Sequence, residues 1–254
     1  MHGDQASLIP FTTSYAPLKG MILAAGLGTR FKPWTDNHPK ALAIINGKSL
    51  LQRNIEYFQQ YGIRDVVVNV HHFANQIREA IEQNDGWGSK VTISDESDEV
   101  LETGGGIKRA AALLGNNAFV VMNADILTDL DLSKLIHSHQ QLKPLATLAV
   151  SQRKTSRYFL FDHFSNLCGW RNDQTGEEKI SRTTADLLPK AFSGIHIIEP
   201  HFFSLVTEEG KFSVVDVYLR LANSEIIKGY DHTGSNLVDV GRPESVAKAE
   251  AIFI

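Results

Sequence analysis

Lys19-Gly20-Met21-Ile22-Leu23-Ala24-Ala25-Gly26-Leu27-Gly28-Thr29-Arg30, continued by Pro33 and by Pro39-Lys40, is the stretch that decides how this chain is read. Its first half is a short apolar run bounded by glycine, the pattern of a strand buried on both faces of a parallel sheet. The second half places two glycines directly after that strand, and the loop at the carboxyl end of such a strand is where α/β proteins hold their ligands. Gly26 and Gly28 can adopt backbone angles closed to other residues. Without a β-carbon they also let main-chain N–H groups approach phosphate oxygens. Ala24, Ala25 and Thr29 complete the loop, and Arg30 and Lys40 bring positive charge to the same mouth. Arg offers a fixed fork of donors and Lys a mobile point charge, and a triphosphate can use both. The spacing is neither the three-glycine dinucleotide fingerprint nor the phosphate loop that ends in Gly-Lys-Ser/Thr. A nucleotide is the expected ligand.

Composition fits a compact enzyme around that loop. With 254 residues, 43% of them hydrophobic, the chain can bury a substantial core and make one α/β domain, at most two. A net charge of -4 argues against non-specific binding to nucleic acid or to an anionic membrane, so the phosphate-binding charges must be local. The single cysteine, Cys168, cannot form an internal disulfide, and no Cys/His spacing resembles a zinc site. A reducing, cytoplasmic location is the expectation. Residues 1–18 lack the pattern of a signal peptide and read as a loose extension before the catalytic domain expected over 19–254. No segment is apolar for long enough to span a membrane.

Further along, strands and helices alternate as crossover units do. Ser49 is placed to cap a helix to about Tyr61, ended by Gly62, before a β-branched strand over Asp65 to Val70. Helices follow over Phe73 to Gln83, Gly105 to Leu114 and Asp131 to Gln141, with strands at Val91 to Ser94, Ala118 to Met122 and Leu145 to Val150. Tyr158 to Trp170 reads as a hairpin, and Arg171 to Thr184 as a polar, turn-rich loop near the substrate. Lys190 to Ile198 resumes a strand, and Ser213 to Ala222 and Pro243 to Ile252 are helical. His137 and His139 fall on a polar helix and read as solvated. The expected class is α/β with a mostly parallel mixed sheet and a small added hairpin.

Four more strings sit in order along the chain: Leu101-Glu102-Thr103-Gly104-Gly105-Gly106-Ile107, Asn123-Ala124-Asp125, Phe192-Ser193-Gly194-Ile195 and Val238-Asp239-Val240-Gly241. Together with the opening stretch they resemble the signatures of the sugar-1-phosphate nucleotidyltransferases, the nucleotide-sugar pyrophosphorylases. The resemblance covers nearly everything from Lys19 onward. It implies the three-layer, Rossmann-like nucleotide-diphospho-sugar transferase fold. The intact Leu-Glu-Thr-Gly-Gly-Gly-Ile string and the short length look most like the N-acetylmuramate-1-phosphate uridylyltransferase branch, whose product class is a cell-envelope precursor, with the makers of GDP-mannose and GDP-heptose close behind.

Asp125 follows one apolar strand and Asp239 another, which puts both carboxylates at strand carboxyl ends on the side of the glycine loop. If those ends are neighbours, as the resemblance implies, the pair can hold one Mg²⁺, a hard cation that keeps waters while binding phosphates. The implied reaction joins an NTP to a sugar 1-phosphate and releases pyrophosphate. Its nucleophile, a phosphate monoester with a second pKa near 6, is mostly ionised at neutral pH. No general base is needed, in keeping with the lack of a Ser/His/Asp arrangement, and catalysis rests on positioning and charge neutralisation by Arg30, Lys40 and the metal.

By the same resemblance Thr103, Gly104 and Gly105 form a loop against nucleobase and ribose, although three glycines also suit a flexible connection. Asn69 ends a strand near the base, beside His71 and His72, which point opposite ways on an extended chain. Asn123, Ser193 and Gly194 match sugar-side positions. Glu178-Lys179 is the nearest candidate for the mid-chain pair that holds sugar and phosphate in many pyrophosphorylases, and reads equally as a solvated charge cluster. A homodimer is the default assembly. A regulatory subunit that binds nucleotide without turnover stays open as a different class.

Overall fold

A computed structural model describes residues 18–254. The expected loose extension over residues 1–18 lies, apart from Leu18, outside the described residues.

The first strand is β1 (Lys19–Leu23), followed by single 3-10 turns and a two-residue pair, β2 (Ile44–Ile45) and β3 (Lys48–Ser49). The Ser49 hydroxyl accepts from the Gln52 N–H at 3.1 Å and so caps α1 (Leu50–Gln60). Past its end Gly62 takes φ 77°, the left-handed turn that glycine makes without strain. Then come β4 (Asp65–Val70), α2 (Ala74–Gln83), β5 (Lys90–Asp95), α3 (Glu102–Arg109), α4 (Ala111–Leu114), β6 (Phe119–Asn123) and β7 (Ile126–Thr128). Asp131 caps α5 (Leu132–Leu142), which leads into β8 (Ala146–Ser151). The second half holds β9 (Arg157–Phe161), β10 (Leu167–Asn172), β11 (Glu177–Ile180), β12 (Leu188–Ile198), α6 (Phe202–Leu205), α7 (Val214–Leu221), β13 (Ile227–Asp231), β14 (Leu237–Asp239) and α8 (Glu244–Ile252).

Ten strands form one sheet in the order β11-β10-β9-β12-β6-β1-β4-β5, with β8 on the free side of β12 and β13 beyond it. β6, β1, β4 and β5 are parallel and make the centre. β12 runs against β6, and β8 against β12, so β8 points the same way as β6. The expected hairpin is larger than its sequence pattern indicates. β9, β10 and β11 form an antiparallel meander, and β11 occupies the middle of the stretch read as a loop. Every residue of β11 is exposed, so it carries no apolar alternation from which a strand could be read.

Adjacent side chains of a strand face opposite ways, and β1 shows what that does here. Met21 packs with Val67, Val121 and Ile107 on one face, beneath α3 and α7. Ile22 packs with Val68, Val120 and Met122 on the other, beneath α1, α2 and α5. Both side chains are wholly buried, which is worth roughly 1.5–3 kcal/mol apiece. A one-residue slip would exchange the two faces, so the register of β1 is strongly specified. The result is the three-layer α/β sandwich. A smaller cluster of Phe31, Ile45, Leu50, Val238, Val240 and Ala249 ties α8 and β14 under the glycine loop.

His139 corrects an expectation. It is 2% exposed, with Nδ1 2.8 Å from Thr147 Oγ1 and Nε2 3.2 Å from Glu199 Oε1. Burial lowers its pKa, which favours the neutral ring. Among the described residues no helix is long and apolar enough to cross a membrane.

Candidate active site

The glycine loop leaves β1 over Ala24 to Arg30 and is braced from β4. The Ala24 N–H donates to Asn69 Oδ1 at 2.7 Å, and Asn69 Nδ2 donates to Glu96 Oε1 at 2.7 Å. Asn69 thus borders the cleft, but both ends of its amide serve to hold the loop. His71 Nδ1 lies 2.5 Å from the Glu96 carbonyl, on the same brace. Gly28 has φ 62°, and a β-carbon there would stand 2.8 Å from Thr35 Cγ2, so only glycine fits. A β-carbon on Gly26 would meet nothing within 4 Å. Its space opens into a cleft of about 490 Å³ lined by Ala24, Ala25, Gly26, Gly28, Thr29, Lys40, Asn69, Thr103, Asn123 and Asp125, among others. Phe31, buried in the cluster under the loop, fixes the 3-10 turn Thr29–Phe31 and leaves its neighbour Arg30 exposed.

The two aspartates meet through backbone pairing. Ala124 N–H donates to Leu23 O at 3.1 Å and Val240 N–H to Asp125 O at 2.8 Å, while β14 pairs with β7 so that Asp239 faces Ile126. Lys40 Nζ forms an ion pair with Asp125 Oδ2. Gly241 closes the corner where Asp239 and Arg30 converge: a β-carbon there would lie 2.6 Å from Asp239 Oδ1 and 2.9 Å from Arg30 Nη2. Asp239 is exposed, yet its carboxyl is partly desolvated by the protein packed around it. That desolvation raises its pKa, with repulsion from Asp125 adding to it, while Lys40, Arg30 and Arg153 pull the other way.

Two carboxylates that repel each other fit a shared divalent cation. No group of three or more His, Cys, Asp or Glu side chains is arranged to hold a metal among the described residues. An all-protein cage is therefore absent there, whereas a two-carboxylate site suits Mg²⁺, which takes its other ligands from water and phosphate.

The triple glycine has a different job from the one expected. Gly104 and Gly105 lie inside α3, and their N–H groups donate to Phe212 O at 2.9 and 3.3 Å. β-Carbons would come within 2.4 Å of the Phe212 ring at Gly104, 2.4 Å of Gly210 O at Gly105, and 2.7 Å of Glu96 Oε1 at Gly106. All three are buried. The string is a tightly packed helical turn, neither a flexible connection nor a loop bared to the base. Of Thr103, Gly104 and Gly105, Thr103 alone lines the cleft, its Oγ1 accepting from Val214 N–H at 3.0 Å.

Of the residues expected on the sugar side, Asn123 lines the cleft and Gly194, at φ 73°, lies against it, 2.9 Å from Asn123 Nδ2 to a notional β-carbon. Ser193 is wholly buried with Oγ 2.7 Å from His232 Nε2, so its hydroxyl faces inward. Glu178 and Lys179 are not among the cleft residues. They are neighbours on β11, pairing across to Arg171 and Trp170, and so point to opposite faces of the meander. Lys179 Nζ is 3.1 Å from Asp216 Oδ1. The structure does not bring this pair to the cleft.

Sequence reasoning missed Glu102, Lys211 and Ser213, which line the mouth, and Arg153, whose charge acts on Asp239. Glu102 belonged to a quoted string; Lys211 and Ser213 precede a helix with no periodic signal of their own.

The nucleotidyl transferase family model matches residues 19–160. N-acetylmuramate alpha-1-phosphate uridylyltransferase of Caulobacter vibrioides is 31% identical over 247 residues, covering 94% of this chain and 98% of that protein. D-glycero-alpha-D-manno-heptose 1-phosphate guanylyltransferase of Campylobacter jejuni is 38% identical over 118 residues, 46% of this chain and 52% of that protein. Among solved structures, HddC from Yersinia pseudotuberculosis complexed with GMP-PN shares the fold at a TM-score of 0.73 and 24% identity, over 93% of this chain and 100% of that one. A family match across more than half of the chain, together with a near full-length relative, shows that this chain belongs to the nucleotidyl transferase family and is a sugar-1-phosphate nucleotidyltransferase.

Proposed function

We propose that the chain transfers a uridylyl group from UTP to N-acetylmuramate 1-phosphate or a related amino-sugar 1-phosphate, releasing pyrophosphate. The observation that carries the reading is the convergence of Lys40, Asp125 and Asp239, with Arg30 beside Gly241, at the end of the sheet where the glycine loop opens. The near full-length uridylyltransferase relative supports the choice of substrates.

In this reaction a sugar-phosphate oxygen attacks the α-phosphorus. One P–O bond forms, the bond from the α-phosphorus to the bridging oxygen breaks, and its electron pair leaves with pyrophosphate. The nucleophile is already an anion, so the chain supplies no base. The Ala24 to Thr29 backbone cradles the phosphates, Arg30 offers a donor fork, and Lys40 keeps positive charge beside Asp125. Asp125 and Asp239 are the residues to hold Mg²⁺, which when bound offsets charge on the phosphate oxygens.

Pyrophosphate release from the common NTPs crossed with hexose 1-phosphates, with Mg²⁺ and with chelator, tests this directly. Metal-dependent release with UTP and an amino-sugar phosphate is expected. Release confined to GTP with a mannose or heptose phosphate would support the second reading, which the guanylyltransferase similarity favours. Asp125→Asn should cut turnover roughly a hundredfold or more, with an unchanged circular dichroism spectrum. A nucleotide-binding regulatory subunit would keep its function in that variant.

A further inference from the structure

The sugar half of the cleft needs a cation for its anionic substrate, and the expected lysine is engaged elsewhere. Lys179 pairs with Asp216, and Lys190 Nζ lies 2.6 Å from Asp231 Oδ2. Arg153 is placed differently. It follows the carboxyl end of β8, and β8 points the same way as β6, so Arg153 arrives at the end of the sheet that carries Asn123 and Asp125. Its Nη2 donates to Phe192 O at 2.8 Å, which anchors the guanidinium on the residue just before Ser193-Gly194. Gly194 in turn touches Asn123 in the cleft wall.

The other Arg153 donors make no hydrogen bond or ion pair among the described residues. Asp239 and then Tyr158 are the groups within reach of its charge, so the guanidinium stands near the candidate metal carboxylate and beside an aromatic ring without being hydrogen-bonded to either. An anchored guanidinium with open donors is a receptor for a planar or tetrahedral oxyanion. A lysine there could not present the same fork.

We propose that Arg153 receives an oxyanion of the sugar substrate, either its 1-phosphate or a carboxylate carried on the sugar. This rests on the proposed reaction and names a specificity-determining residue for it. The test is calorimetric binding of N-acetylmuramate 1-phosphate, which has both anions, and N-acetylglucosamine 1-phosphate, which has the phosphate alone. Wild type, Arg153→Gln and Arg153→Lys are each measured with Mg²⁺ and a non-hydrolysable UTP analogue present, and pyrophosphate release by the wild type is followed separately.

Arg153→Gln should weaken sugar-phosphate binding about tenfold or more, with Arg153→Lys recovering part of the loss and the affinity for the UTP analogue unchanged. Equal losses on both sugars assign the 1-phosphate, and a loss confined to the muramate assigns the carboxylate. Unchanged affinity for both sugars, a parallel loss of UTP-analogue affinity, or a wild type that binds neither sugar overturns the proposal. Arg153-dependent sugar binding without pyrophosphate release would leave it standing and overturn the reaction.

Discussion

Glu96 shows how a residue outside the chemistry governs the loop that performs it. It is wholly buried, takes one hydrogen bond from Asn69, and leaves Oε2 without a partner among the described residues. Desolvation raises its pKa above the ordinary 4.5, outweighing the Asn69 hydrogen bond. The native state therefore holds that proton more tightly than the unfolded chain. Stability contributed by the protonated form is present below the unfolded value and is lost as pH rises through the native one. Glu96→Gln removes the charge that must be buried above that window. Urea melts should find the variant more stable than wild type at pH 8, by about 1 kcal/mol, with the gain shrinking towards pH 4. A variant less stable at pH 8 would show that the ionised carboxylate supports the fold. Neither the burial of Glu96 nor its bond to Asn69 was legible in sequence, because an acid at a strand end looks the same whether it faces solvent or a helix.

At the scale of elements, α3 and the glycine loop offer opposite uses of the same residue type. In a helix interior alanine is favoured over glycine by about 1 kcal/mol, so propensity alone predicts that Gly105→Ala stabilises. The β-carbon would stand 2.4 Å from the Gly210 carbonyl oxygen and 2.9 Å from Leu101 Cβ, and that backbone cannot yield without moving α3. Overpacking costs about 1–3 kcal/mol, and a lowered urea midpoint is the expected result. Gly26→Ala meets no neighbour. Its stability should stay within about 0.5 kcal/mol of wild type, while its methyl group intrudes on the cleft and weakens nucleotide binding about tenfold. The two variants separate a glycine kept for packing from one kept for a ligand. If Gly26→Ala binds nucleotide as wild type does, the loop does not approach the phosphates. Sequence reading put Gly26 in a loop and Gly105 where the triple-glycine loop meets a helix starting at that residue, three positions later than α3 begins, since Thr-Gly-Gly-Gly has poor helix propensity and the Phe212 segment that stabilises it lies far along the chain.

Across the whole molecule the cleft gathers groups from both ends of the chain, so ligand binding should register as global stability. Free nucleotide at a hundred times its Kd adds about 2.7 kcal/mol, a shift in Tm of roughly 5–10 °C for a domain of this size. Thermal melts should show that shift with UTP, a further increase when Mg²⁺ is added, and loss of the Mg²⁺ increment alone in Asp125→Asn. A variant that keeps the full increment would remove Asp125 from the metal site. The sequence by itself determined the α/β alternation, the glycine loop after β1, the capped helices and the acids at strand ends. Each of these follows from local periodicity or from steric demands within a few residues. Only the tertiary structure decided that Asp125 and Asp239 are neighbours, that Gly104 is packed inside a helix, that Glu178 and Lys179 lie on opposite faces of an edge strand, and that Arg153 is anchored on the Phe192 carbonyl next to Ser193-Gly194. Those outcomes depend on which distant strands pair and which backbones touch, and no pattern of nearby residues encodes that.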